Sequence, residues 1–176
     1  MNNLPSLLSL TMPSNNSFRR VGVGCWTGSV NGWAVEDKEV PLRVCRGELT
    51  VQRKSRAAYG PTNVEFKLSD STSNIYLALA AVLASGLDGI VRSLKLRPPV
   101  NNNNRGNAAN GSSSSDSDKL PSSLKESLNC LNQNQFIMGV MGKELFTSYL
   151  AVRREEDRVS SERTLDQEVF EALQNA

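Results

Sequence analysis

The segment from Asn74 to Ile90, NIYLALAAVLASGLDGI, constrains the fold more than any other part of the 176-residue chain. Ile75, Leu79, Val82, Leu83, Gly86 and Ile90 recur at helical spacing, while Ala78, Ala80, Ala81 and Ala84 keep most of the remaining surface small or apolar. Ser71, Thr72, Ser73 and Asn74 offer oxygens for an N-cap, and Pro98-Pro99 sets the latest possible end. The pattern predicts a helix over 73–96. A helix apolar nearly all round belongs in an interior. This one is therefore expected to be buried, deep in a larger body. Its unbroken apolar run, Ile75 to Ala84, is ten residues, against the ~20 of a membrane span.

The residues just before it, NVEFKLSD, alternate as a strand does. Val64, Phe66 and Leu68 share one face and are expected to pack inward. Asn63, Glu65 and Lys67 share the other. In isolation, a carboxylate and an ammonium on one strand face read as a surface ion pair worth ~0–1 kcal/mol. Upstream, DKEVPLRVC reads as a short strand. Its Pro41 lacks a ladder donor and argues for an edge or a bulge; without a bulge, Lys38 and Arg43 would face opposite sides. Gly22, Gly24 and Gly28 in GVGCWTGSVNGW fit neither phosphate-loop spacing, so a flexible loop flanked by Trp26 and Trp33 is expected.

Residues 101–118, NNNNRGNAANGSSSSDSD, divide the chain. With almost no apolar side chain this tract cannot offset its ordering entropy, and a disordered loop spanning roughly 20–25 Å is expected. Residues 119–176 return to helical patterns. Leu145, Tyr149 and Val152 are expected along one face, and Thr164 with Gln167 opens a final helix by a capping box. Leu165, Val169, Ala172 and Leu173 form its stripe. The whole reads as an α+β chain with residues 1–100 and 119–176 in one domain.

Histidine is absent, which removes Ser-His-Asp and Cys-His nucleophiles, histidine general bases and histidine-based zinc sites. Cys25, Cys45 and Cys130 match no zinc or redox spacing and suggest reduced thiols and a cytoplasmic setting. MNNLPSLLSL has no basic n-region, so neither a signal peptide nor a membrane partner is expected. A net charge of +2 does not imply nucleic acid. Arg19, Arg20, Arg53, Lys54 and Arg56 lack an interleaved aromatic platform, and salt-dependent retention on DNA would be needed to revive that reading.

Taken in order, MPSNNSFRR, the Gly-rich loop with Trp26, DKEVPLRV, and NVEFKLSDSTSNIYLALAAVLASGLDGI form a series. It resembles the C-terminal part of the catalytic domain of type I glutamine synthetase, and more closely the plant and fungal glutamine synthetase-like branch. Glu65, Lys67, Asp70, Asn74, Tyr76 to Ala81 and Gly86 to Ile90 carry the closing signature. LPSSLKESLNCL and LFTSYLAVRREE resemble the family's last helices.

The resemblance implies part of an α+β domain, antiparallel strands with packed helices, without the N-terminal β-grasp domain. It implies an ATP-dependent ligase of glutamine biosynthesis and nitrogen metabolism, using Mg2+ or Mn2+. Such an enzyme phosphorylates the glutamate side-chain carboxylate, then lets ammonia or an amine displace phosphate. By this resemblance Glu65 is a metal ligand and Arg20 and Lys67 hold the substrate carboxylate. Lys38, Arg43 and Asn63 stand at the ATP-phosphate site, and Asn16 begins the motif leading to Arg20. Trp26 stands where relatives carry a flap glutamate that draws a proton from ammonium, which weighs against ammonia as the nucleophile. Lysine at 38 and 67 keeps charge but loses the planar fork of arginine, and Asn63 loses charge. Met1 falls within the family's catalytic domain and residues 46–60 fit no family pattern, so a C-terminal piece inactive alone, homo-oligomeric when full length, is expected. The alternative is a non-catalytic scaffold on the same fold, acting by association.

Overall fold

The computed structural model describes residues 1–22, 25–46, 61–100 and 119–174, without the side chains of residues 61, 62, 171 and 172. The tract expected to be disordered, 101–118, and residues 47–60 lie outside the described residues.

The core forms around α1 (Leu4–Thr11), whose Pro5 sits in the first turn, where its missing N–H leaves no bond unmade. Leu4, Leu7, Leu8 and Leu10 are buried, and so are Ser6, Ser9 and Thr11. The buried hydroxyls are satisfied along the helix: Ser9 Oγ donates to the Ser6 carbonyl at 2.8 Å and Thr11 Oγ1 to the Leu7 carbonyl at 3.1 Å. This segment thus becomes the central helix of the core.

Two helices cover α1: α3 (Ile75–Val91) and α4 (Leu124–Gln133). Leu124, Leu128 and Leu131 of α4 are buried at helical spacing against it. The short α5 (Gln135–Met141) contributes Ile137, and α6 (Lys143–Ser161) contributes Phe146 and Leu150. The buried stripe of α6 is Phe146, Tyr149 and Leu150, not the expected Leu145, Tyr149 and Val152; Leu145 and Val152 are exposed. A shift of one residue rotates a helix face by about 100°, so the expected set kept only Tyr149. The last helix, α7 (Leu165–Gln174), opens on the expected box, Gln167 Oε1 accepting from the Thr164 amide at 2.9 Å. Its Leu165, Val169 and Leu173 are exposed.

The sheet is α+β in character as expected, but it is mixed. Its order is β1 (Trp33–Val35), β2 (Leu42–Arg46), β3 (Pro61–Phe66). β2 and β3 pair antiparallel, Arg43 opposite Glu65 and Val44 opposite Val64, whereas β1 runs parallel to β2. Pro41 does not lie in a bulge. It precedes β2, the register shift falls between Cys45 and Arg46, and Lys38 lies in the turn before the strand. β2 is the central strand of the three, and Pro41 keeps its carbonyl useful by accepting from the Lys67 amide at 3.0 Å.

α3 departs furthest from expectation. Asn74 is its cap, Oδ1 accepting from Tyr76 and Leu77 amides at 3.0 and 3.2 Å. The helix ends at Val91, not near 96, because Ser93 turns at φ 49° and the chain then runs extended past β1, where Val100 N–H bonds the Trp33 carbonyl. Only Ala78 and Ala81 are buried; Ile75, Leu79, Leu83, Leu87 and Ile90 are exposed. The small-residue side faces α1, and the large-residue stripe expected to be buried faces outward from this chain. Val64 is likewise 59% exposed, contrary to the inward packing expected of it, while Phe66 packs on the core and Leu68 is fully buried.

Candidate functional site

Two local clusters gather nearly all the expected site residues. The first joins the end of α2 (Asn15–Phe18), the loop after it and the end of β3. Ser14 caps α2, its Oγ accepting from the Ser17 amide at 3.1 Å, and the short helix delivers Arg20 toward the Ser69 and Lys67 carbonyls. Arg20 reaches them at 3.3 and 3.4 Å, with the Asp70 carboxylate at 3.7 Å. These are long contacts on a half-exposed guanidinium. Thr27 Oγ1 donates to the Arg20 carbonyl at 2.5 Å, drawing the loop onto the helix end. Asn16 accepts from Arg19 at 3.0 Å. It braces that neighbour rather than Arg20.

Trp26 sits in that loop at φ 60°, a left-handed backbone that non-glycine residues seldom adopt. Its side chain is 60% exposed. The Lys38 ammonium lies 5.1 Å from the indole centroid, within cation–π range. Lys67 Nζ donates to the Lys38 carbonyl at 2.6 Å and to the Trp26 carbonyl at 3.4 Å. Gly28, at φ 72°, turns the loop where a Cβ would come within 2.5 Å of the Glu39 carbonyl. A glycine is needed there for close packing; Gly24 lies outside the described residues.

The second cluster is on the sheet. Arg43 on β2 meets Glu65 on β3 at 3.3 Å and Glu36 at 2.6 Å. The Glu36 carboxylate also accepts from the Arg46 amide. That amide first, and the Arg43 guanidinium second, hold Glu36 below the usual carboxylate range, and the two carboxylates hold Arg43 more firmly protonated. Asn63 is opposite Cys45, two residue pairs along from Arg43 and Glu65, and exposed. Glu36 was not singled out by sequence. Its placement depends on a φ of 54° that a glutamate does not advertise. Asp70 stood only as part of a signature; here it also organises the turn before α3, Oδ1 accepting from Thr72 N and Thr72 Oγ1 at 3.0 and 2.6 Å.

Residues 1–171 match the family model described as glutamine synthetase, catalytic domain. The chain belongs to this family. Type-1 glutamine synthetase 1 of Dictyostelium discoideum is 25% identical over 169 residues, covering 96% of this chain and 31% of that protein. The gamma-glutamylpolyamine synthetase GlnA3 of Streptomyces coelicolor is 32% identical, covering 87% and 32%. A solved structure titled as a novel glutamine synthase homolog superposes with a TM-score of 0.70 at 28% identity, over 92% of this chain and 33% of that one. The chain thus spans about a third of the length of the relatives it matches, and it forms part of a glutamine synthetase catalytic domain.

The metal that this family uses does not fit the described residues alone. Among them no group of three Asp, Glu, Cys or His side chains is gathered, and Glu65 is engaged by Arg43. A hard divalent cation takes about six oxygens; one carboxylate cannot hold it. No helix among the described residues is long and apolar enough to cross a membrane.

Proposed function

We propose that this chain carries the C-terminal part of the active site of an ATP-dependent glutamate–amine ligase, completed by residues outside it. The observation that carries the reading is the Lys38 ammonium over the exposed Trp26 ring. An indole face that accepts one primary ammonium suits an organic amine better than a flap that must deprotonate ammonium with a carboxylate. The match to a relative named for gamma-glutamylpolyamine synthesis supports the same direction. In the proposed reaction the γ-phosphoryl group of ATP passes to the glutamate side-chain carboxylate and ADP leaves. The amine nitrogen then attacks the acyl carbon, the C–O bond to phosphate breaks with its electrons, and the nitrogen loses a proton. Arg20, with its long and exchangeable contacts, is assigned the substrate carboxylate. Arg43 and Lys38 are assigned to phosphate oxygens, Asn63 to their border, and Glu65 to one position of a cation shell that other residues would have to complete.

The test is phosphate release from ATP with glutamate, magnesium and either ammonia or a diamine, on this chain alone and mixed with a relative's upstream two-thirds. Turnover that prefers the diamine, and that Glu65→Gln abolishes, is expected in the mixture. Ammonia preferred in the native mixture and unaffected by Trp26→Ala would sink the amine reading. A second reading, a non-catalytic protein acting by association, is favoured by the outward apolar stripe of α3 and the exposed Val64. Absence of turnover in the mixture, with concentration-dependent self-association, would decide for it.

A further inference from the structure

We infer that Lys67 is a positioning residue, latching the loop that presents Trp26, and does not itself take a substrate carboxylate. Its ammonium is directed onto two main-chain carbonyls from the two connections that flank β1, Lys38 in the turn after it at 2.6 Å and Trp26 in the loop before it at 3.4 Å. Charge-assisted bonds of this kind are among the stronger in proteins. The loop needs an external tie because its own geometry is unfavourable: Trp26 is held at φ 60° with its ring 60% exposed, so burial of the indole cannot fix it. The anchor is itself built in. The Lys67 amide bonds the Pro41 carbonyl at 3.0 Å, and its carbonyl receives Arg20 at 3.4 Å. Thr27 fastens the loop a second time, to the Arg20 carbonyl at 2.5 Å. The end of β3, the end of α2 and the two connections flanking β1 therefore meet at Lys67. A lysine suits this work where an arginine would suit a carboxylate, since a compact ammonium can reach two carbonyls that converge on one point.

With Lys67 so engaged, the loop before β1 and the turn after it bring the indole face and the Lys38 ammonium together at 5.1 Å. Only that consequence rests on the ligase reading; the latch rests on contacts within the chain. Its test therefore needs no turnover. Amide hydrogen exchange on the full chain would be read at Cys25 and Glu39, whose N–H groups bond Gly22 O and Asp37 Oδ1, and in α4 as the internal reference. Lys67→Met should speed exchange at Cys25 and Glu39 by about tenfold while leaving α4 unchanged, and Lys67→Arg, whose planar fork fits two converging carbonyls less well, should recover only part of the protection. Unchanged loop exchange in Lys67→Met would overturn the latch. So would an equal rise in α4, which would make Lys67 a general stabiliser. Ammonia preferred by the native mixture, with the Lys67→Met effect on loop exchange present as expected, would instead count against the ligase reading alone.

Discussion

Arg43 and Glu65 occupy directly paired positions of β2 and β3, and their side chains meet at 3.3 Å. Arg43 also holds Glu36 at 2.6 Å, so one guanidinium serves two carboxylates. The residue that resemblance assigns to phosphate and the one it assigns to metal therefore neutralise each other in this chain.

Acid should expose this arrangement. Glu36 is held below the ordinary carboxylate range by the Arg46 amide and then by Arg43. A carboxylate depressed on folding contributes stability above its unfolded value, about 4.3, and that contribution is lost as pH falls through the lower folded value. Urea midpoints measured between neutral pH and pH 3 should fall more for the native chain than for Glu36→Gln. Arg43→Met should raise the Glu36 titration midpoint seen by NMR without restoring it fully, because the Arg46 amide remains.

The two sides of α3 should respond oppositely to substitution. Ala81 is buried against the core, whereas Leu79 and Leu83 are 53% and 62% exposed. Ala81→Leu should destabilise by about 1–3 kcal/mol through overpacking. Leu79→Gln and Leu83→Gln should each stay within about 0.5 kcal/mol while reducing self-association in sedimentation velocity. Marked destabilisation by the exposed pair would mean that the stripe is covered within the chain.

Tyr149 joins two helices: its hydroxyl donates to the Ser9 carbonyl at 2.6 Å, and burial pushes its pKa up. Tyr149→Phe should cost about 1–3 kcal/mol, leaving a buried carbonyl without its partner. A phenol raised on folding contributes stability that is complete below its unfolded value of about 10 and is lost as pH rises through the folded one. The native chain should accordingly lose stability above pH 10 faster than Tyr149→Phe. Parallel alkaline unfolding curves would show that this hydroxyl is not desolvated.

Local signals were legible in the sequence where one residue decides the outcome. A cap among Ser71, Thr72, Ser73 and Asn74, the Thr164–Gln167 box and the order of strand and helix in 63–91 needed no tertiary context, and the structure picks Asn74 of the four. Face assignment failed where the burying surface lies elsewhere. Periodicity marks the apolar stripe of α3 but cannot say that α1 packs on its alanines. The parallel pairing of β1 was hidden because three residues carry too little pattern to fix direction. At the site, family resemblance named Arg20, Lys38, Arg43, Glu65 and Lys67. It could not show that Lys67 faces main-chain carbonyls, since replacing a fork by a point charge changes what the position can hold.

Asn134 provides the most discriminating single-site test of the core. It stands between α4 and α5, where Oδ1 caps α5 by accepting from the Ile137 amide at 3.0 Å. Its Nδ2 donates to Asn3 Oδ1 and to Ser6 Oγ, both at 3.0 Å, tying the start of α1 to that junction. Asn134→Ala removes a cap and two part-buried bonds, and should cost about 2–4 kcal/mol. Asn134→Asp keeps the cap but sets a carboxylate against the Asn3 oxygen, which cannot donate to it. Protonation would restore one donor, so the aspartate should have its pKa raised on folding. Its stability deficit relative to the native chain should then be smallest at acid pH and grow as pH rises through that value. Urea unfolding of both proteins from pH 3.5 to 7 measures this directly, and a deficit independent of pH would place Asn3 away from the junction.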